Sequence, residues 1–160
     1  MTQLIRAGFA SAAGSLILAG FFLPWVAGAG ILDFRSFSGL DLARLARNFE
    51  ITTSSDAGAS QVRLTALCLY VVPALAVNAV VLEYVCRSAP AVRQVARIAA
   101  AFAGGYAAVI LALVMFLSQA PVNDFERVAG TPSWGSLATA AGACIFVWLG
   151  VFTPRPRLTF

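Results

Sequence analysis

Ionisable residues fall along this chain in clusters, and between them lie four charge-free stretches at positions 7–32, 64–82, 98–123 and 128–154. Each is long and apolar enough to meet the roughly 20 residues a helix needs to cross a hydrocarbon core of about 30 Å. The pattern predicts an all-α integral membrane four-helix bundle forming one transmembrane domain over 1–160, with spans of about 7–29, 64–84, 97–119 and 133–153. Both termini then face the same side. An apolar run of 17 residues before Pro24 exceeds a signal peptide's usual hydrophobic region of roughly 7–15, so the first stretch reads as a retained helix despite its Ala27-Gly28-Ala29.

Between the first two spans runs an outer loop over about 30–63. Leu42, Leu45 and Phe49 recur there at i, i+3 and i+7, with Arg44 and Arg47 off that line. This predicts a short amphipathic helix in the first outer loop, N-capped by Ser38 or Asp41. It either roofs the bundle or docks to a partner, a lipid or a ligand. At the second outer connection, Thr131 and Pro132 read as an N-cap followed by the first helical residue.

Small residues recur every four positions: Ala7, Ser11, Ser15 and Ala19 in the first span, Ala100, Gly104, Ala108 and Ala112 in the third, and Ser136, Ala140 and Cys144 in the fourth. Such faces let helix backbones approach closely, either within the chain or against a partner subunit through Gly104 and Ala108. In the second span Pro73 removes a backbone donor and should kink the helix near mid-membrane, and Asn78 is an intramembrane amide, read as interhelical glue or as part of a transport path. Glu83 has Arg87 four residues on, or the Arg93/Arg97 pair, as its expected partner. Pro24 and Trp25 are expected to end and anchor the first helix, with Trp134 and Trp148 as further interfacial anchors.

Composition agrees with the membrane reading: 60% of residues are hydrophobic and 11% charged, and mean hydropathy is +0.85. Six arginines fall on the side of the termini beside one acid, Glu83. The other side carries five arginines and six acids. The positive-inside bias in short flanks therefore puts both termini in the cytoplasm, and the net charge of +4 follows from topology without any need for nucleic-acid binding.

Candidate chemistry is sparse. The chain has no histidine, and all 11 of its basic residues are arginine. That removes the usual haem and zinc ligands and the general base of most triads. Cys68, Cys86 and Cys144 lie outside the outer loops and form no Cys-x-x-Cys, unlike the active thiols of four-helix disulfide-generating quinone reductases. Small multidrug exporters depend on a carboxylate in the first span, which here has none. No catalytic, metal or cofactor-binding residue emerges, and no cofactor is expected. The leading expectation is a non-catalytic accessory subunit of a larger membrane complex, respiratory or photosynthetic, whose partners are other membrane subunits and the bilayer. Alternatives are a small oligomeric transporter or channel with Pro73 and Asn78 along its path, and a lipid- or quinone-binding module with pigment or quinone contacts.

Phe22-Leu23-Pro24-Trp25, followed by Ser38-Gly39-Leu40-Asp41-Leu42, resembles a pattern in small bacterial four-helix membrane proteins. In those, Pro-Trp closes the first span and Ser-Gly-x-Asp-Leu opens the outer loop. The resemblance implies a bacterial inner membrane and no particular activity. The topology also looks like that of claudins, but the paired loop cysteines and the Gly-Leu-Trp motif are missing, so no junction-forming role carries over.

Overall fold

In the computed structural model of the chain, residues 3–27, 36–44, 56–85, 90–118 and 131–152 are described, with side chains at 4–26, 36–44, 67–85, 93–116 and 132–152. Four helices are long and apolar enough to cross a membrane: α1 (Gln3–Phe22), α2 (Asp56–Val85), α3 (Pro90–Ser118) and α4 (Trp134–Val151). They pack in a ring, α1 against α2, α2 against α3, α3 against α4, and α4 back against α1. The last two contacts are the most extensive, so α4 lies clasped between α1 and α3. These are the four long apolar helices expected from the charge-free stretches.

Small residues make that clasp possible. A Cβ on Gly142 of α4 would sit 2.7 Å from the Ala13 carbonyl oxygen of α1. One on Gly104 of α3 would sit 2.6 Å from the Ala143 carbonyl oxygen of α4. Backbones therefore touch on both sides of α4, where side chains would hold them apart. Around these contacts Ile17, Phe21, Val72, Phe146 and Leu149 fill the interior.

The packed faces differ from the expected every-fourth rows, for one geometric reason. A helix has 3.6 residues per turn, so a strict i+4 row drifts about 40° at each step and winds off the contact face. Ala7 is buried, but Ser11 is half-buried and Ser15 and Ala19 are exposed. Ala100 and Gly104 are buried, while Ala108 and Ala112 face outward. On α4 the same row runs from buried Ser136 through half-buried Ala140 to exposed Cys144. The buried sets instead mix steps of three and four, as in Ala10, Ala13, Ile17 and Phe21 on α1. Gly104 is thus an internal packing residue and is unavailable to a partner, whereas Ala108 is accessible.

A three-stranded antiparallel sheet, absent from the all-α expectation, closes one end of the bundle. Its central strand β1 (Pro24–Ala27) pairs with β2 (Ser36–Ser38) on one side and β3 (Thr131–Pro132) on the other. Pro24 lacks an N–H and disfavours helical backbone at Leu23, so α1 stops at Phe22, as expected of the proline and short of position 29, the expected end of the span. Thr131 and Pro132 likewise do not start a helix. They form an edge strand, where a proline is tolerated, and Ser133 is the N-cap of α4 with its N–H donated to the Trp25 carbonyl at 3.1 Å.

The two small residues expected to serve a partner should therefore behave differently. Gly104→Val is expected to lower the melting temperature of the detergent-solubilised protein sharply, by the few kcal/mol typical of overpacking (about 1–3), whereas Ala108→Val should leave it within about 0.5 kcal/mol. Differential scanning fluorimetry of the two variants checks this.

Candidate functional site

At the sheet end, the two halves of the Phe22–Trp25 and Ser38–Leu42 pattern meet. Pro24 pairs with Ser38 across β1 and β2, and the register shifts between Pro24 and Val26. That bulge gives Trp25 no opposite number and turns both Trp25 and Val26 inward, where regular alternation would send one of them out. Trp25 is therefore 0% exposed, which corrects its expected role as an interfacial anchor. Its indole N–H donates to the Gly20 carbonyl at 2.7 Å, satisfying one of the last carbonyls of α1, while Leu23 N–H takes that of Ala19 at 3.0 Å. The Phe21 ring stands edge-on to the indole at 6.2 Å.

After β2 the chain turns helical over residues 39–44, with Ser38 as the N-cap. The Ser38 hydroxyl donates to the Asp41 carboxylate at 2.7 Å, the Ser38 N–H donates to it at 3.1 Å, and the Asp41 N–H donates back to the hydroxyl at 3.1 Å. This reciprocal arrangement satisfies donors that the first turn leaves open. Gly39 is required beside it, since a Cβ there would lie 2.8 Å from the Phe21 ring. Donation from Ser38 holds the Asp41 carboxyl below the usual carboxylate range, Arg44 adds to this, and partial burial opposes it. Ala43 is fully buried, and Leu40 and Leu42 pack against the core. Leu42, half-buried, therefore packs onto the roof of the bundle. Leu45 and Phe49 lie outside the described residues.

The opposite end is held by charge. Arg6 of α1 grips Glu83 of α2, with Nε at 3.0 and 2.9 Å from the two carboxylate oxygens and Nη2 at 2.6 Å from Oε1. Glu83 is thus paired with Arg6 across two antiparallel helices, a partner that local sequence spacing does not suggest. Position 87 lies outside the described residues. The reason is topological: the start of α1 and the end of α2 meet, and an arginine one turn inside α1 can reach back to the carboxylate. One turn deeper, Ser11 and Tyr84 share a hydrogen bond of 3.0 Å. Arg97 is also buried at this end.

Pro73 and Asn78 are not brought together on an internal path. The helix runs through Pro73, which is half-buried. One turn before it, the Tyr106 hydroxyl of α3 donates to the Cys68 carbonyl at 3.0 Å. Asn78 is exposed on the outside of the bundle, so it does not join helices within one chain. Trp134 and Trp148 are exposed near opposite ends of α4, about 21 Å apart at 1.5 Å per residue. Cys68 packs against the core, Cys144 is exposed, and Cys86 lies outside the described residues. Among the described residues no three His, Cys, Asp or Glu side chains gather into a metal-binding group.

Two outcomes test these ends. Because protonation of Asp41 is suppressed in the folded chain, its contribution is complete above the ordinary aspartate value of about 3.9 and is lost as pH falls through the lower folded value. Carbon-13 titration should place the Asp41 midpoint below about 3.9, and Ser38→Ala should move it up toward that value. At the other end, a cycle of Arg6→Ala, Glu83→Ala and the double variant in thermal unfolding should give a favourable coupling of about 1–3 kcal/mol. A coupling near zero would mean that the pair contributes nothing.

No family model, curated protein or solved structure matches this chain.

Proposed function

We propose that the chain is a non-catalytic accessory subunit of a larger complex in a bacterial inner membrane, with both termini cytoplasmic. The observation that carries this reading is the outward face of α1. Gly8, Ala12, Ser15 and Ala19 are all exposed there, at steps of four, three and four, and the space where a Gly8 Cβ would stand is open. These steps keep the row on one face along most of the helix, unlike the drifting i+4 rows. Lipid tails gain little from such a shallow groove, whereas another helix can bring its backbone into it, with the Ser15 hydroxyl available for an interhelical hydrogen bond. The occupant is therefore a transmembrane helix of a different subunit. The concentration of arginine in the short flanks at the terminal end supports the orientation.

Gentle detergent extraction of native membranes followed by size separation tests the proposal. The protein should migrate with a larger assembly, and Ala12→Leu with Ser15→Leu should release it while leaving its thermal stability within about 0.5 kcal/mol. Recovery of the native protein free of any other chain would overturn it.

A further inference from the structure

Intramembrane polar side chains on the described helices mostly find partners inside the chain. Glu83 is gripped by Arg6, Tyr84 bonds Ser11, Tyr106 bonds the Cys68 carbonyl, and Thr139 bonds the Gly135 carbonyl at 2.9 Å. Asn78 is different. Its amide is exposed, lies 11 residues into the apolar stretch Leu67–Val85, and makes no hydrogen bond among the described residues, not even back to its own helix. An amide facing hydrocarbon at that depth leaves two donors and an acceptor unsatisfied, a cost removed only by a polar partner at the same depth.

The residues around Asn78 form a seam. Leu67, Val71, Ala74, Asn78, Val81 and Val85 follow one another at alternating steps of four and three. All are exposed except Val71, which is half-exposed. This is a heptad repeat written on the outer face of α2, with Asn78 as its one amide and small Ala74 one turn away to let a facing helix come close. Nothing in the ring of four helices uses this face.

We propose that this seam docks a second copy of the same chain, α2 against α2, with the two Asn78 amides bonded to each other across a two-fold axis along the membrane normal. Complementarity selects this occupant. An asparagine amide is both donor and acceptor, so two of them exchange N–H···O=C bonds reciprocally, each satisfying its carbonyl and one of its two N–H donors. Two copies inserted with the same orientation run their α2 helices parallel and carry Asn78 at the same depth by symmetry, a match that any other partner would need an independently placed polar group to achieve. The heptad steps suit a left-handed parallel pair, and one polar residue in such a seam fixes its register. This surface is separate from the α1 face and stands whether or not another subunit binds there.

The test uses the purified full-length protein in phosphatidylcholine vesicles. Energy transfer between donor- and acceptor-labelled copies is followed as the lipid-to-protein ratio rises. Wild-type protein should show saturable dimerisation, and Asn78→Leu should weaken it about tenfold, as two interhelical hydrogen bonds in a membrane would. Asn78→Gln, which keeps the amide, should retain most of it. Because position 78 faces outward, the Leu variant should keep wild-type circular dichroism and thermal stability. Disulfide trapping in a background free of native cysteines supplies the geometry: Ala74→Cys should cross-link between copies and Ala12→Cys on α1 should not. The inference is overturned if the wild type stays monomeric at every ratio, if Asn78→Leu associates as strongly as wild type, or if Ala12→Cys cross-links in place of Ala74→Cys. None of these results bears on whether the protein co-migrates with other subunits, so the two proposals fail separately.

Discussion

Backbone contact on both sides of α4 is the constraint from which the other features of this fold follow. Inside a bilayer, apolar side chains gain little by leaving lipid for protein, so helices are held by close packing and by hydrogen bonds that lipid cannot offer. Gly142 against Ala13 on one side and Gly104 against Ala143 on the other bring the three helices to backbone contact. Those contacts set the rotation of α1, α3 and α4 about their axes. Once set, that rotation decides which residues turn inward and which meet the surroundings. It leaves α2 held by fewer contacts and with a full face outward.

The two ends of the bundle are closed by different physics. At one, a sheet of very short strands ties the end of α1, the outer-loop segment and the start of α4 into one unit. The fully buried Trp25 both fills space and caps the α1 carbonyls, and the Ser38–Asp41 exchange starts the roof helix beside Phe21. In the Ser-Gly-x-Asp-Leu segment, Ser38 caps the helix, Gly39 permits the close approach to Phe21, Asp41 returns the cap and Leu42 meets the core. At the other end the Arg6–Glu83 pair clamps α1 to α2. Its worth depends on exclusion of water, since a charge pair in water would contribute little.

Polar satisfaction organises the middle. Thr139 and Tyr106 each satisfy a hydroxyl on a backbone carbonyl within or between helices. The amide of Asn78, facing out from the seam of α2, is the exception that points beyond a single chain. The small-residue face of α1 points outward as well, chiefly through its shape, with the Ser15 hydroxyl as its one polar group. A protein whose identifiable chemistry is this sparse can therefore still present two surfaces with distinct partner requirements.

Four helices were legible in the amino-acid order alone, because length, apolarity and absence of charge are local properties that a bilayer reads directly. So were the stop that Pro24 imposes on α1, the helix start at Ser38 and Asp41, and the amide deep in the second span. Which way each helix face turns was settled by packing, because a 3.6-residue period makes every-fourth rows wind from buried to exposed. The sheet was illegible because strands of two to four residues are too short to show alternation. Trp25 turns inward only because a bulge interrupts its strand. Arg6 and Glu83 stand 77 residues apart in the chain, so no local spacing could pair them. Asn78 shows the division most simply: its depth is written in the sequence, but whether it looks into the bundle or out of it depends on how three other helices pack.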